Sequence, residues 1–334
     1  MTSSQSQTNF TALVLHAGAI GDVVLGTVVP TEIKRARPEA KIIYWTHESL
    51  IDLLSLCPAI DEFIPWQKKN PLLRQRGIVR GASAHALIDL SASLRTQVIS
   101  RISGVKTLRY RKHSASARPI IHAADNFRET VDSMIGSGKP RFPTLIVPDT
   151  ERDELRHEFA VGLGGTVALV PGVGALRPHR AWPPEHWTAL ARKLVEQGTQ
   201  VVLIGGKDDE PVASKVMSGL EGEVSNLVGK MSLRQTAVAL STCSLVVSGD
   251  TGPSHIAVAV GTPCIGLLGP TYPERSGPYG YLEQGLDAGH QCRCHVAKSC
   301  VVTEVGGPGR CMSTISVDDV YARAKPFCFE NSRQ

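Results

Sequence analysis

Short apolar runs alternate with longer amphipathic segments along most of this chain, which restricts the folds open to it. In the first half, runs typical of strands lie at residues 12–16, 41–45, 62–65, 86–90, 107–111 and 145–147. The segments between them predict helices, most clearly over residues 22–35 and 93–102. Strands that alternate with helices predict an α/β fold in which the helices pack on a parallel sheet.

A second strand, glycine-rich turn and helix start repeats this opening in the second half. The stretch "TALVLHAGAIGDVV" is echoed by "TVALVPGVGALRPHRAWPPEHW". A chain of 334 residues is also long for a single hydrophobic core. We therefore expect two Rossmann-like, doubly wound domains, residues 1–160 and 161–334, facing each other across a cleft. Loops at the carboxyl ends of the strands would line that cleft, because ligands bind there in such sheets.

The composition, with 42% apolar and 20% charged residues, is that of a soluble globular protein. No run of about 18 uncharged apolar residues is present, so a membrane-spanning helix is not expected. The leader "MTSSQSQTNF" lacks the basic start and the apolar region of a secretory signal. We expect a cytoplasmic protein, in which disulfides are not the default use of the eight cysteines.

Positive charge is concentrated in one part of the first half. Between Glu62 and Asp125 the only acid is Asp89, whereas the Lys and Arg residues there are Lys68, Lys69, Arg74, Arg76, Arg80, Arg95, Arg101, Lys106, Arg109, Arg111, Lys112 and Arg118. This basic run is either a solvated face or the binding site of an anionic partner. Few aromatic residues interleave with it, so an acidic substrate or an anionic membrane surface fits better than nucleic acid.

An acid ends the first glycine-rich turn, "GAIGD". The N–H groups at the start of a helix attract phosphate, and the carboxylate of Asp22 would repel it. Asp22 can be a helix cap that accepts a backbone N–H, or it can be a functional carboxylate.

The most informative stretch of the second half is "SGDTGPSHIAVAVGTP". A strand precedes it, and Pro253 is suited to be the first residue of the following helix. Backbone N–H groups after Asp250 and Thr251 can then contact a diphosphate, which Gly252 lets approach because it has no Cβ. His255 either reaches the same anion or is an ordinary helix-surface histidine.

Two further stretches fit a nucleotide. "VVLIGGKDDE" ends a strand in a glycine turn and is followed by acids, of which Glu210 or a neighbour can bind ribose hydroxyls or remain solvated at a helix start. "GKMSL" places Met231 just before a Ser-capped helix, where its thioether either suits the face of a base or fills the core.

Together, "GAIGDVVLGTVVP", "PHRAWPPEHW", "GKMSL" and "SGDTGPSHIAVAVGTP" resemble glycosyltransferase family 9, the bacterial heptosyltransferases of the lipopolysaccharide inner core. The resemblance covers about residues 11–320. It implies the B-type glycosyltransferase fold, with an N-terminal acceptor domain and a C-terminal ADP-heptose domain. It also implies an inverting enzyme that requires no metal cofactor. Its partners would be ADP-heptose, an anionic lipopolysaccharide core acceptor and the inner face of the cytoplasmic membrane.

The resemblance also assigns residues. Asp22 would be the general base, and the donor would be bound by Arg180 at the diphosphate, Glu210 at the ribose, Met231 at adenine, and Asp250, Thr251, Gly252 and His255 at the diphosphate and heptose. Arg180 departs from the family pattern, in which Lys is frequent, but Arg keeps the charge and adds a bidentate fork. Within the basic run, Arg95 is expected to bind the acceptor's anionic groups.

Transfer from a nucleotide sugar needs a base for the acceptor hydroxyl, and cations and N–H groups that take up the charge of the leaving diphosphate. Asp22 and the segment around Thr251 meet these two requirements. The alternatives are a related transferase with another sugar or a protein acceptor, and a non-catalytic binding protein of the same fold. The presence of both Asp22 and the Asp250–Gly252 segment argues against the latter.

Four cysteines, Cys292, Cys294, Cys300 and Cys311, lie in and beside a glycine-containing loop near the C-terminus. Four thiolates could bind zinc or iron, but the C-x-C spacing is not the usual C-x-x-C knuckle. A metal site, free thiols and a disulfide are all open interpretations.

Overall fold

The computed structural model describes residues 10–113, 118–139, 141–159, 165–174, 177–220, 222, 224–288 and 310–329. These residues form two compact units. The first is drawn from Met1–His113 and Ala123–Thr144, and the second from Ser114–His122 and Leu145–Gln334. The chain therefore enters the second unit at residue 114, returns at residue 123 and enters it again at residue 145.

The first unit contains a five-stranded parallel sheet in the order β3-β2-β1-β4-β5. Its strands are β1 (Thr11–Leu15), β2 (Lys41–His47), β3 (Glu62–Trp66), β4 (Ala86–Asp89) and β5 (Thr107–Arg109). Its helices are α1 (Ile20–Leu25), α2 (Val28–Ala36), α3 (Glu48–Leu54), α4 (Leu72–Gly81), α5 (Leu94–Ser103), α6 (Ala123–Glu129) and α7 (Asp132–Ile135). Apolar side chains of the central strands are buried, and the rings of Trp45 and Trp66 meet edge to face at 4.9 Å.

The second unit contains a six-stranded parallel sheet in the order β8-β7-β6-β9-β10-β11. Its strands are β6 (Val167–Val170), β7 (Val201–Leu203), β8 (Val224–Asn226), β9 (Leu245–Gly249), β10 (Cys264–Leu268) and β11 (Leu286–Asp287). Its helices are α8 (Asp149–Phe159), α9 (Pro184–Glu196), α10 (Glu210–Met217), α11 (Leu233–Ser241), α12 (Gly252–Ala259), α13 (Pro273–Ser276), α14 (Arg310–Ser313) and α15 (Val317–Phe329), with short 3-10 helices at Pro178–Arg180, Lys207–Asp209 and Leu282–Gln284.

Numbered within each unit, both sheets follow the Rossmann strand order 3-2-1-4-5, which the second sheet extends by a sixth strand. The prediction of two Rossmann-like, doubly wound domains is confirmed. In each sheet the strand order reverses beside the first strand, between β1 and β4 and between β6 and β9. Ligands of such sheets bind at that point, outside the carboxyl ends of the strands.

The second unit begins earlier in the chain than residue 161, because α8 belongs to it. On α8, Glu151 accepts two hydrogen bonds of 2.8 and 2.7 Å from the guanidinium of Arg234 on α11. These hydrogen bonds to Arg234 lower the pKa of Glu151 from its usual value. The ion pair ties the helix that opens this unit to a helix of its sheet.

The predicted helix over residues 22–35 is wrong as a single element. It is two helices, α1 and α2, interrupted at Gly26 and Thr27. A Cβ built on Gly26 would lie only 2.4 Å from Nδ1 of His16, so the buried imidazole packs directly on the backbone at the interruption. The interruption therefore lies where the ring of a residue ten positions earlier packs against the backbone.

The predicted strand at residues 145–147 is also wrong. Leu145 and Val147 are buried and Ile146 is exposed, which is the alternation of a strand. However, the backbone N–H of Leu145 donates to the carbonyl of Ala259, at the end of α12, at a distance of 2.8 Å. The segment is extended but joins neither sheet. A smaller correction concerns α12, which begins at Gly252, so Pro253 is its second residue and not its first.

Two predicted helices begin at side-chain caps, of which the sequence predicted the one at Ser232. The hydroxyl of Ser93 accepts from the N–H of Thr96 at 3.1 Å at the start of α5. Ser232 and Gln235 form a reciprocal capping box at the start of α11. Across the described part of the chain, no helix combines the length and apolar character needed to cross a bilayer.

Candidate functional site

In the first unit, the loops after β1 and β4 are held together at the carboxyl edge of the sheet. The N–H of Leu90 donates to the carbonyl of Leu15 at 2.9 Å, and the N–H of Ala17 donates to the hydroxyl of Ser91 at 2.7 Å. The "GAIGD" turn therefore lies beside the loop that leads into α5. This is the point at which the strand order reverses.

Asp22 lies in the first turn of α1, at this edge, with an exposed side chain. The residue at the N-cap position is Ala19, three residues earlier, and it makes no side-chain cap. Asp22 is therefore not the N-cap of the helix. An acid in a first turn is still favoured by the helix dipole. The structure places this predicted catalytic residue at the edge of the sheet where ligands bind.

His16 supports the turn from behind. It is fully buried, its Nδ1 lies 3.1 Å from the hydroxyl of Tyr44, and its ring meets that of Phe127 at 5.0 Å. A Cβ on Gly18 would lie 3.2 Å from its Nε2, so the imidazole spans the distance between the turn at Gly18 and the helix interruption at Gly26. Burial lowers the pKa of His16 from 6.5 to about 3.

The neutral, buried imidazole predicts how stability depends on pH. Below pH 6.5 the unfolded chain protonates His16, but the folded protein does so only near pH 3, so the free energy of unfolding falls as the pH drops through this window. His16→Asn should reduce that slope by about 1.4 kcal/mol per pH unit. Tyr44→Phe is the matched control, because it keeps the buried imidazole and should keep the slope. The measurement is urea unfolding across the window, followed by tryptophan fluorescence, and equal slopes for His16→Asn and wild type would contradict it.

Asp89, at the end of β4, is a buried acid that sequence reasoning did not propose for the site. Its Oδ1 accepts from the N–H groups of Ser91 and Ala92 at 3.1 Å, and its Oδ2 lies 3.6 Å from a guanidinium nitrogen of Arg109. Burial raises its pKa, although these hydrogen bonds oppose the shift. Ala92 has a φ of 50°, in the left-handed region. Asp89 thus fixes the strained turn that lies beside the loop carrying Asp22. The one feature of the sequence that could have pointed to it is that it is the lone acid of the basic run.

The basic run does not form one surface. Arg95 is half-buried, donates to the Gln75 side chain at 3.1 Å and to the carbonyl of Asn70, and so joins the starts of α4 and α5. Arg118 lies in the second unit, with its guanidinium 5.4 Å from the ring centre of Tyr272. The expectation that the whole run belongs to the first domain is therefore wrong at its C-terminal end.

In the second unit, Arg180 and Asp250 form a largely buried ion pair at the carboxyl edge of the sheet. The distance between Nη1 and Oδ2 is 2.5 Å, and each side chain is 10% exposed. Burial lowers the pKa of Arg180, and the carboxylate opposes that shift. Within the described residues, Nε of Arg180 has no hydrogen-bond partner. The pairing brings together two predicted donor-site residues and leaves N–H groups for a further anion.

The start of α12 lies next to this pair. Thr251 is its N-cap residue, and its hydroxyl lies 3.1 Å from that of Ser248. The first N–H groups of an eight-residue helix, from Gly252 onward, have no partner inside the helix. His255, one turn further on, is buried, which rules out the ordinary surface histidine. Among the residues that the structure describes, its Nδ1 is unpaired.

The electrostatics of His255 connect the site to another part of the chain. Burial lowers its pKa to about 4, Asp250 opposes this shift, and His122 adds to it. His122 comes from the segment that crosses into the second unit, where its Nε2 lies 2.9 Å from the carbonyl of Gly277 and its ring 4.8 Å from that of Tyr279. Sequence reasoning missed His122, because it lies far from the "DTGPSH" segment and in the half assigned to the other domain.

The two residues predicted to bind the nucleoside lie on neighbouring loops. Glu210 is the first residue of α10, and a Cβ on Gly229 would lie 2.5 Å from its Oε1, so its carboxylate rests on the loop that carries Met231. Gly229 has a φ of +74°, which a side chain would strain. The neighbouring acid Asp209 instead accepts from the N–H of Gly206 at 3.0 Å. Of these two acids, Glu210 is the one directed towards the Met231 loop.

The cysteine cluster falls mostly outside the described residues, which include only Cys311 of its four members. Cys311 is buried in α14. In the described ranges, no three His, Cys, Asp or Glu side chains are grouped as a metal site would require. The metal hypothesis for Cys292, Cys294, Cys300 and Cys311 stays a prediction.

Comparison with known proteins identifies the family. Residues 80–305 match glycosyltransferase family 9 (heptosyltransferase), and this match extends over parts of both units. The chain belongs to this family. It is 27% identical to lipopolysaccharide heptosyltransferase 1 of Escherichia coli K12 over 307 residues, which is 80% of this chain and 90% of that protein. This confirms the resemblance found in the sequence.

Two further comparisons show less, because one covers under half of this chain and the other shows only the fold. The chain is 34% identical to lipooligosaccharide heptosyltransferase 2 of Haemophilus influenzae over 145 residues, which span 41% of this chain and 42% of that relative. The solved structure of E. coli heptosyltransferase WaaC with ADP superposes with a TM-score of 0.69 at 22% identity, over 95% of this chain and all of that one. The latter similarity shows the shared fold.

Proposed function

We propose that this family member is an inverting, metal-independent glycosyltransferase that moves heptose from ADP-heptose to an anionic acceptor of the lipopolysaccharide inner core. The observation that carries the proposal is the grouping of Arg180, Asp250, the start of α12 and His255 at the point where the second sheet reverses its strand order. Relatives named as heptosyltransferases, and one solved with ADP, support the choice of donor.

In the proposed reaction, Asp22 takes a proton from an acceptor hydroxyl as its oxygen forms a bond to the anomeric carbon. The bond from that carbon to the diphosphate breaks on the opposite face, so the configuration inverts and ADP leaves. Negative charge then collects on the leaving phosphates. The guanidinium of Arg180 and the backbone N–H groups at the start of α12 are held in place before the reaction begins, and such groups stabilise developing charge most effectively. They supply this stabilisation without requiring a divalent metal.

The role of Asp250 follows from its partner. A carboxylate beside a diphosphate site repels the ligand, but this one is paired with Arg180 and holds that guanidinium in place. Its remaining oxygen can accept a hydrogen bond from a sugar hydroxyl. Glu210 is proposed to bind the ribose and Met231 to contact adenine. Among the described residues, two of the five N–H donors of Arg95 have partners, and the others are proposed to bind the acceptor's anionic groups.

The donor assignment is tested by ligand-induced stabilisation. ADP at one hundred times its Kd should stabilise the protein by about 2.7 kcal/mol, which corresponds to a shift of several degrees in Tm. ADP-heptose should do the same, and UDP and GDP counterparts should do much less. Glu210→Ala should reduce the ADP shift, while Asp208→Ala, an exposed acid of the same turn, should not. Equal or larger shifts with UDP-sugars would refute the donor assignment.

Two further assignments are where in the cell the protein works and which acceptor it uses. We propose that the protein works in the cytoplasm, peripherally at the inner face of the cytoplasmic membrane, because its proposed acceptor is a lipid. Incubation with ADP-heptose and a heptose-free core acceptor should yield the heptosylated product and ADP in equal amounts. Nuclear magnetic resonance of the new linkage reports whether the configuration has inverted, and retention would contradict the proposed mechanism.

A further inference from the structure

Two helices of the first unit expose large apolar side chains next to basic ones. Leu73 on α4 is 75% exposed and Leu94 on α5 is 83% exposed, and Leu72 and Val98 beside them are also exposed. Single exposed apolar side chains are common on monomeric proteins, but exposed apolar side chains grouped on neighbouring helices mark an interaction surface. We call this set, together with the exposed Lys68, Lys69, Arg74, Arg80 and Arg101, the α4–α5 surface.

The two helices form one surface because Arg95 joins their beginnings. Its side chain, at the start of α5, donates to Gln75 on α4 and to Asn70 just before α4. Each helix also follows a strand, β3 or β4, whose carboxyl end lies at one edge of the parallel sheet. The exposed leucines are therefore at the edge that carries Asp22.

Each helix repeats the same arrangement along its outer face. The buried positions are Gln75 and Val79 on α4, and Thr96, Ile99 and Ser103 on α5. On the exposed faces, an arginine follows each leucine by seven residues, namely Arg80 after Leu73 and Arg101 after Leu94. Seven residues are about two helical turns, or roughly 10 Å. An apolar tip followed by a cation at this spacing suits insertion of the tip below lipid headgroups.

The charge of the α4–α5 surface has one sign. The only acid between Glu62 and Asp125 is Asp89, which is fully buried. A twofold contact between two copies of the chain would bring this basic surface against itself, which like charges oppose. A planar array of anionic headgroups has the complementary charge. We propose that the α4–α5 surface docks the protein on an anionic lipid bilayer, with Leu73 and Leu94 inserted at the interface.

This proposal rests on the proposed function in one respect, because a lipid-linked acceptor makes a bilayer the expected partner. Docking through this surface would place the edge that carries Asp22 next to the membrane in which such an acceptor is anchored. The two ideas can be tested separately, because vesicles that contain neither donor nor acceptor measure docking alone.

The test is flotation of the full chain with vesicles that contain phosphatidylglycerol, compared with vesicles of phosphatidylcholine only. Wild type should bind the anionic vesicles, and high salt should release it. Leu73→Gln/Leu94→Gln should lower the partition coefficient at least tenfold, since each leucine loses its apolar burial. The matched control is Phe142→Gln/Ile146→Gln, because these side chains are 47% and 58% exposed but lie outside the surface.

A second pair of variants tests the charges. Arg80→Gln/Arg101→Gln should lower binding to anionic vesicles by about 25-fold, or fivefold for each cation near the surface, and should leave binding to neutral vesicles unchanged. All variants should keep the wild-type Tm and the stabilisation by ADP, which establishes that they fold.

Three results would overturn the proposal. One is wild type that does not bind anionic vesicles at low salt, and another is an equal loss of binding in the Phe142/Ile146 control. The third is that Leu73→Gln/Leu94→Gln changes the molecular mass measured by sedimentation velocity but does not change vesicle binding. That result would assign the surface to self-association. A protein that transfers heptose but does not bind vesicles lacking donor and acceptor would refute the docking surface and leave the proposed function intact.

Discussion

Asp22→Asn should lower kcat by about 10²–10⁴-fold, because the substitution keeps the shape of the side chain and removes the proton acceptor that general-base catalysis requires. Ala19 occupies the N-cap position, so the change does not remove the cap of α1. The proposed donor residues lie in the second unit, so the Kd of ADP should stay near that of wild type. The measurement is kcat, with Tm and the donor Kd taken on the same preparation.

Glu48→Gln is the matched control for Asp22→Asn. Glu48 is also an exposed acid in the first turn of a helix that follows a strand of the same sheet, and no role in transfer is proposed for it. It should keep the wild-type rate. A kcat of Asp22→Asn within about threefold of wild type lies outside the range expected for a lost base and would assign the proton transfer to another group.

The second large effect is expected at the Arg180–Asp250 pair. Arg180→Met leaves the carboxylate of Asp250 largely buried without its cation, which costs about 3–5 kcal/mol of stability for pairs of this kind. It also removes a group that stabilises the leaving diphosphate, and loss of one such group lowers kcat by about 10²–10³-fold. The two effects have different origins and can be separated.

The double variant Arg180→Met/Asp250→Asn makes that separation. Removing the stranded charge should restore most of the stability, as the two residues are in direct contact and their effects do not add. The rate should stay low, because the cation is still missing. Arg156→Met, which breaks the exposed pair with Asp153, should change stability little. Recovery of activity in the double variant would show that Arg180 serves only to neutralise Asp250.

Local sequence was sufficient wherever a feature depends on neighbours in the chain. The strands have apolar runs, Ser93 and Ser232 precede helices that they cap, and the "DTGPSH" segment builds the start of α12 from consecutive residues. The α/β pattern predicted two doubly wound parallel sheets, and the parallel pairing of β1 with β4 and of β6 with β9 agrees with it.

The errors lie where a segment contacts a residue outside it in the chain. The helix at residues 22–35 is interrupted where the ring of His16 packs on Gly26, and no periodicity within the helix reveals that contact. The segment at residues 145–147 alternates buried and exposed side chains, but its backbone bonds to the end of α12. The alternation of apolar and polar residues indicates which side chains are buried, but it does not indicate which group the backbone hydrogen-bonds to.

The same limit applies to the site. The sequence nominated Arg180 and Asp250 separately, and only the fold shows that they form one ion pair. Asp89 and His122 were not nominated, because one was a lone acid and the other an isolated histidine. His122 influences His255 only because the chain leaves the first unit before completing it.

That early crossing has a consequence for exchanging halves between family members. A chimera joined near residue 145 would pair the second half of one protein with residues 118–122 of another. Tyr272 and Tyr279 would then contact residues 118 and 122 of the foreign protein, and residue 122 acts electrostatically on His255. Donor preference in such chimeras should follow the source of this short segment as well as that of the second half. The segment from residue 114 to residue 122 therefore belongs with the C-terminal module, although it is encoded among the residues of the N-terminal one.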